Sequence, residues 1–524
     1  MIKLSKFLVF ISLTFFGVSK SWAQGTLSDG SKWHWNKGTI VIETPQRPAG
    51  QQNALQLAAP KLNVVRVGFV GLGMRGMPAV ERWTHIPGVQ IVALCDYNKN
   101  NAEKCQDFLK KASMPNAAIY YGEKGYVDLC KRNDIDLVYI ATDWLHHVPV
   151  AKCAMENGKH AAIEVPSAMN MKDIWELINL SERTRKHCML LENCIYDWYE
   201  MNTLNMAQHG VFGEIVHASG AYRHCLSPYW DAYWKKDADD KLGWRLEYNM
   251  KHRGDVYATH GLGPVAQVLN IHRGDRMKTL VAMDTKSYTG KALVKERTGK
   301  DVDFRNGDFT TTLIRTENGK MIDINHDVMN PQPYSRMYQL VGSKGFANKY
   351  PNEGYALTSA DLKSFGIKPS RENISNHDYL PEADKKALET KFYHPILKKY
   401  GEMAKEVGGH GGMDFVEDSR LVYCLQNGLP LDIDIYDLGE WCCLAELGAL
   451  SMDNNSAPVE IPDFTRGFWH KQKGYTHAFA SPEDEAEAER IAKEFTKGMK
   501  SGGEKFLRKY WKAEAQKTKR NKKR

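Results

Sequence analysis

The chain has 524 residues, of which 42% are hydrophobic and 26% charged, enough for two or three packed domains and too apolar for a disordered polypeptide. Its formal charge of +8 resides at the ends: residues 505–524 hold ten Lys or Arg against one Glu, and Lys3, Lys6 and Lys20 fall in the first 23 residues with no acid. The body between is mildly acidic, which argues against a nucleic-acid-binding protein.

Residues 1–23 read as a secretory signal peptide. Lys3 and Lys6 precede the apolar run FLVFISLTFFGV, and Ser21-Trp22-Ala23 offers a small-x-small cleavage site before Gln24. The run is too short to span a bilayer, so no transmembrane segment is expected, and the expected location is a periplasm or the exterior. Residues 24–60 are polar with scattered Pro and Gly and read as an N-terminal arm.

From residue 61 strands and helices alternate. Strands are expected at 64–70, 90–96, 136–141, 160–164 and 188–193, separated by helical stretches such as HVPVAKCAMENGK and DIWELINLSERTRK. Such alternation predicts an α/β domain over 61–194, with a parallel sheet covered on both faces. Its first strand runs into Gly71-x-Gly73-x-x-Gly76, and Asp96 follows twenty residues later at the end of QIVALCD. In a dinucleotide-binding βαβ unit the first glycine allows the tight turn, the second admits the pyrophosphate, and the third lets helix and strand pack. The helix N-terminus then offers N–H groups to the phosphates. An acid at Asp96 with no arginine just after it accepts from a ribose diol and repels a 2′-phosphate, which favours NAD over NADP. Ligands of such sheets lie beyond the carboxyl ends of the strands, which nominates Asp96, Thr142 to His147, Glu164-Val165 and Asn193.

After a helix around 199–209 the pattern changes to longer strands such as GEIVHASGAYRH and DFTTTLIRTENGKMIDINHDV, joined by turns such as Glu317-Asn318-Gly319. This predicts a second, α+β domain over 195–465 built on a large open, mostly antiparallel sheet. Residues 466–524 read as a charged helical tail. Within the second domain Trp244-Arg245, Arg253-Gly254-Asp255 and Tyr257-Ala258-Thr259-His260 crowd polar groups together. On a helix Tyr257 and His260 share a face, where they exchange protons with a hydroxyl-bearing ligand or else merely cap the sheet. The ten cysteines include no CxxC pair and no Cys/His spacing suited to zinc, so no metal is expected.

The GLGMRG turn, Glu164-Val165-Pro166, Leu191-Glu192-Asn193, FGEIVHASGAYRH, WRLEYNMKHRGDVYATHGLGPVAQVLNIHRGDR and HDVMNPQPYS carry a resemblance over about residues 61–465. Together they are similar to the Gfo/Idh/MocA-like oxidoreductases and, within them, to glycoside hydrolase family 109, the NAD-dependent α-N-acetylgalactosaminidases. The wider oxidoreductases carry a proton-transferring lysine where Val165 stands here, which weakens a simple dehydrogenase reading. The resemblance implies a glycosidase that takes terminal α-N-acetylgalactosaminides of glycoconjugates. It would oxidise the sugar at C3, remove the C2 proton, eliminate the aglycone from C1, add water and reduce the ketone, with no net redox. It implies Met74-Arg75 and Asp96 at the phosphate and ribose, and Trp144, Leu145, His146, His147, Glu164, Val165 and Asn193, with Tyr257, around the nicotinamide half. Tyr222, Arg245, Tyr257, Ala258, Thr259, His260 and Tyr334 match substrate positions. Of these, Tyr257 and His260 are the candidates for proton transfer, and Arg245 and Tyr334 for orienting the sugar. The segment SPYWDAYWKKDADDKLG, residues 227–243, is read as an insertion near the sugar. Two other readings stay open at this point: an NAD-dependent sugar oxidoreductase with net hydride transfer, and a non-catalytic carbohydrate-binding protein. A homo-oligomer is compatible with all three.

Overall fold

The computed structural model describes residues 24–226, 231–234, 242–482 and 484. The signal-peptide reading, most of the 227–243 segment and the basic end lie outside the described residues.

Three short strands come first: β1 (Gln24–Thr26), β2 (Lys32–Asn36) and β3 (Thr39–Ile42). Six more follow as β4 (Val65–Val70), β5 (Val89–Asp96), β6 (Ala118–Tyr121), β7 (Leu137–Ile140), β8 (His160–Glu164) and β9 (Cys188–Leu191). They form an all-parallel sheet in the order β6-β5-β4-β7-β8-β9. Every residue of β7, β8 and β9 is buried, which is why these strands read as unbroken apolar runs rather than alternating ones. The crossovers include α1 (Gly76–Trp83), α2 (Lys99–Lys111), α3 (Trp144–Glu156) and α4 (Met171–Thr184). Asn98, Asp143 and Asn170 start the last three by accepting the amides of Asn100, Leu145 and Asp173. The edge strand β6 escapes the sequence reading because AIYY is four residues long and only half-buried. The fifth expected strand also ends early. Glu192 leaves β9, accepts the Cys194 amide at 3.1 Å, and starts a single 3-10 turn over Asn193–Tyr196.

The second sheet adds β10 (Ile215–Arg223), β11 (Met277–Asp284), β12 (Thr310–Thr316), β13 (Met321–Asp327), β14 (Gln339–Gly342), β15 (Phe346–Asn348), β16 (Gly354–Ala356) and β17 (Val459–Glu460). Its eleven strands run β1-β2-β3-β17-β11-β12-β13-β10-β14-β15-β16, antiparallel except at β10–β13 and β3–β17. Residues 24–42 are therefore not an arm ahead of the first domain. They carry the far edge of the second domain's sheet, with Trp33, Ile40 and Ile42 buried. The tail reading is corrected in the same way. Residues 466–480 form no helix but pack on the body, Gly274 N–H donating to Trp469 at 2.9 Å and Tyr475 buried. No helix among the described residues is long and apolar enough to cross a membrane.

Four further helices position the site: α5 (Trp244–Lys251), α6 (Thr259–Val268), α7 (Met413–Asn427) and α8 (Ile435–Cys442). Helix α6 lies directly on β10, because Gly220 and Gly261 meet backbone to backbone. A Cβ on Gly220 would fall 2.1 Å from the Gly261 carbonyl oxygen. Helix α7 lies within the second domain's stretch of sequence yet packs against β4 of the first, and α8 packs on α4 and β9. At the start of α8, His272 lies 2.7 Å from Glu440 and 3.2 Å from Asp434, while Arg273 pairs with Asp437 at 2.6 Å. Burial and Arg273 oppose a charge on His272, yet Asp434, Glu440 and Asp437 carry it up to about 10.

Candidate active site

One cavity of about 990 Å³ opens where the carboxyl ends of β4, β5, β7 and β8 face the second domain. Its floor is the glycine turn. Gly71 sits at φ +88°, and a Cβ there would lie 2.5 Å from the Ala141 carbonyl, while a Cβ on Gly76 would lie 1.8 Å from the Gly71 oxygen. Gly73 faces open space. Helix α1 begins at this turn with no side-chain cap. Met77 and Ala79 already donate to the Gly73 and Arg75 carbonyls and Pro78 has no N–H, so the Gly76 amide is the one its first turn offers a ligand. Beside it Asp96 accepts from Leu72 N–H at 2.6 Å, Asn98 N–H at 2.8 Å and Asn101 Nδ2 at 3.1 Å, so its carboxylate is fixed at the end of β5. A tight turn, an open glycine, a free helix end and an anchored acid fit a dinucleotide.

The sequence-predicted cofactor residues divide. Gly71, Gly73, Met74, Arg75, Asp96, Trp144, His146, His147, Glu164, Val165, Asn193 and Tyr257 all border this cavity; Gly76 and Leu145 do not. Gly76 shapes the turn from behind, and Leu145 is 68% exposed. Arg75 turns its guanidinium away from the glycine turn, to Glu164 at 2.8 Å, Asp414 at 3.2 Å and His410 Nδ1 at 3.0 Å. Asp414 also accepts from Asn193 Nδ2 at 2.6 Å and pairs with Arg82 at 3.5 Å. Burial opposes its charge, but His410, Arg75 and Arg82 hold this carboxyl well below the usual carboxylate range. His147 is buried between the Pro166 carbonyl at 2.9 Å and the Thr142 carbonyl at 3.1 Å, tying the ends of β7 and β8 together. His146 lies on Asp143, 2.6 Å away.

At the other end of the cavity the second domain contributes an aromatic cage. Arg245 of α5 lies 4.4 Å from the Tyr257 ring centre and 5.0 Å from that of Trp144. Tyr257 packs 4.6 Å from Tyr222 of β10 and 4.9 Å from His260 of α6. Burial pushes the Tyr222 and Tyr257 phenols up, with Arg245 pulling the other way. His224 sits 3.2 Å from the Tyr222 hydroxyl, and burial followed by the Arg245 charge pushes it down to about 4, so it is neutral. His260 Nδ1 lies 2.6 Å from Glu192 Oε1. Burial pushes Glu192 up, but the facing His260 and hydrogen bonds from His260, Thr259 and the Cys194 amide together draw it below the ordinary carboxylate value. Ala258 and Thr259 are buried at the start of α6 and do not border the cavity. Tyr334 does not border the cavity either; it is 41% exposed and reaches the site only through His224, the two rings edge-on at 4.9 Å.

Sequence reasoning missed several neighbours. His224 stands two residues after Tyr222, while Tyr233, inside the 227–243 segment read as near the sugar, and Trp244, noted beside Arg245 but given no role, complete the cage wall. Gly409, His410 and Asp414 reach the cofactor end from the start of α7. The signal there was four glycines around one histidine in Gly408-Gly409-His410-Gly411-Gly412, where all five residues adopt positive φ. Glu192, Cys194 and His260 are spaced closely enough to ligate a metal, yet Arg336 places a guanidinium 3.0 Å from the Cys194 sulfur.

Residues 65–191 match the model of the oxidoreductase family, NAD-binding Rossmann fold, and residues 196–471 match that of the glycosyl hydrolase 109 C-terminal domain. Glycosyl hydrolase family 109 protein 5 of Phocaeicola vulgatus is 70% identical over 496 residues, 94% of this chain and 95% of the relative. The chain belongs to glycosyl hydrolase family 109. A family 109 relative from Porphyromonas gingivalis is 59% identical, over 84% of this chain and 93% of its own. Among solved structures, levoglucosan dehydrogenase in complex with NADH and levoglucosan aligns with TM-score 0.55 at 17% identity, covering 76% of this chain and 99% of that one. That likeness concerns the fold. This family 109 member is thus a glycoside hydrolase whose first domain is an NAD-binding Rossmann fold, joined to the hydrolase domain across one cavity.

Proposed function

We propose that this protein hydrolyses terminal α-N-acetylgalactosaminides outside the cytoplasm, using NAD rather than NADP and without net redox. The observation that carries the reading is the chemistry of the cage. Hydrolysis by two carboxylates needs an acid pair flanking the scissile bond. Tyr222, His224, Tyr233, Trp244, Arg245, Tyr257 and His260 line the cavity from the second domain and none of them is a carboxylate; the carboxylates that line it are Asp96, Glu123, Asp143, Glu164 and Asp414. Four of these are already engaged: Glu164 and Asp414 by Arg75, Asp96 by Leu72, Asn98 and Asn101, and Asp143 by the Leu145 amide and His146.

Bound NAD supplies a hydride acceptor for a sugar carbinol and returns the hydride at the end of the cycle. Asp96 would hold its ribose, and Gly73 with the start of α1 its pyrophosphate. Arg245 orients the sugar by its hydroxyl or acetamido oxygens, and the rings of Trp144, Tyr222 and Tyr257 keep water from the reacting carbons. Tyr257 and His260 move protons to and from the sugar as its C2–H bond breaks and re-forms. Signal-peptide features in residues 1–23 support export, and a retained cofactor suits a compartment without an NAD pool.

Turnover of a nitrophenyl α-N-acetylgalactosaminide in D₂O tests this. The expected outcome is phenol release, deuterium at C2 of the product and no net absorbance at the NADH band. Product without deuterium at C2 refutes the elimination route. Stoichiometric NADH moves the protein to the oxidoreductases, and sugar binding without release makes it a binding protein.

A further inference from the structure

His260 meets the cavity from the first turn of α6, and a carboxylate stands behind it. Glu192 Oε1 lies 2.6 Å from Nδ1, and its side chain is wholly buried. The same oxygen accepts the Cys194 amide at 3.1 Å, so the carboxylate is pinned to backbone. Helix α6 makes room for it: a Cβ on Gly263 would lie 3.1 Å from Glu192 Cγ. The second neighbour of Nδ1 is Cys194 Sγ at 3.2 Å, and burial pushes that thiol well up, so it is neutral and Glu192 is the anion facing the ring.

An ionised carboxylate only accepts hydrogen bonds, so its partner nitrogen must carry the proton. Nε2, on the opposite side of the ring and toward the cavity, is then the basic nitrogen. Tyr257 offers no equivalent, since burial pushes its phenol well above the ordinary value and keeps it protonated. We propose that Glu192 is a positioning residue that fixes His260 as the Nδ1–H form and stabilises the imidazolium, which makes His260 Nε2 the group that takes a substrate proton and Tyr257 a donor. The role in turnover rests on the glycosidase reading above; the tautomer does not.

Protein labelled with ¹⁵N-histidine, with His260 assigned by difference from His260→Asn, reports the tautomer directly. The expected spectrum has His260 protonated at Nδ1 and bare at Nε2. Glu192→Gln, whose amide can donate to Nδ1, should shift the proton to Nε2 and lower kcat by about 10³–10⁴-fold, as expected for a wrong tautomer, with KM and bound NAD unchanged. Glu192→Asp should recover part of that loss. A wild-type His260 protonated at Nε2, or Glu192→Gln with wild-type kcat, overturns the proposal, and the wild-type spectrum decides alone if the variant does not fold. An Nδ1–H His260 in a protein that cleaves no glycoside would refute the glycosidase reading and leave the positioning role of Glu192 standing.

Discussion

Replacing Asp414 by alanine removes the anion that joins residues of the two domains at the glycine-turn end of the cavity. Its buried carboxylate pairs with Arg75 at 3.2 Å and Arg82 at 3.5 Å and accepts from Asn193 at 2.6 Å. Breaking a buried ion pair ordinarily costs about 3–5 kcal/mol because a charge is stranded. Here Arg75 keeps Glu164 at 2.8 Å and Arg82 keeps Asp418 at 2.9 Å, so neither guanidinium is left without an anion. The expected loss is therefore about 2–3 kcal/mol, with about 1 kcal/mol of it from the stranded Asn193 amide. At an unfolding entropy of roughly 2 cal/mol/K per residue this lowers Tm by about 2–3 °C in a chain of this size. The pH dependence has a definite sign. Asp414 is held below its unfolded value, so its contribution is present above about pH 4 and fades as pH falls further. Calorimetry and urea titration of wild type and Asp414→Ala should show the gap at pH 7 and a narrower one near pH 3.5. NAD retained on purification should fall too, since Asn193 and Arg75 border its cavity. An unchanged Tm at pH 7, or a gap that widens on acidification, would refute this account.

Asp96→Ala removes the acceptor of three fixed hydrogen bonds and the negative charge at the ribose, so the preference for NAD over NADP should erode; tighter NADP binding by the wild type would overturn that assignment. Exhaustive EDTA treatment should leave turnover intact, because the Arg336 cation lies against the Cys194 sulfur and His260 takes up the Glu192 carboxylate; activity lost to the chelator and restored by Mn²⁺ or Zn²⁺ would contradict this. His272→Gln removes a cation whose folded pKa is raised to about 10, so the stabilisation it gives is complete below about pH 6.5 and is lost as pH rises toward 10. Urea midpoints for His272→Gln and wild type should differ most near pH 6 and converge with rising pH, and a constant difference would be the wrong result.

The parallel sheet was legible because burial on both faces writes itself as uninterrupted apolar runs, and VRVGFV and LVYI need no partner to be recognised. The glycine turn was legible because Gly71 and Gly76 answer steric demands only glycine meets, and Asp96 because it ends an apolar strand at the expected distance from them. What the sequence hid was long-range. Strands β1 to β3 are three to five residues long, and nothing local says that Ile40 pairs with Val459. Asp414 reads as one more acid in a helix until the fold sets it beside Arg75. Glu192 shows the same limit: its neighbours Leu191 and Asn193 drew attention to the segment, but only the approach of α6 brings His260 onto its carboxylate.

The pairing of β3 with β17 also dictates an order of assembly. Between Thr39–Ile42 and β11 the sheet is bridged only by the two residues Val459-Glu460, so the first strands to leave the ribosome have no seat until nearly the last segment arrives. The parallel domain depends mostly on neighbours close in sequence and is free to form early, while the large sheet closes last, as a wide loop completed in one late step. Until that step Trp33, Ile40 and Ile42, buried in the finished sheet, have no seat in it.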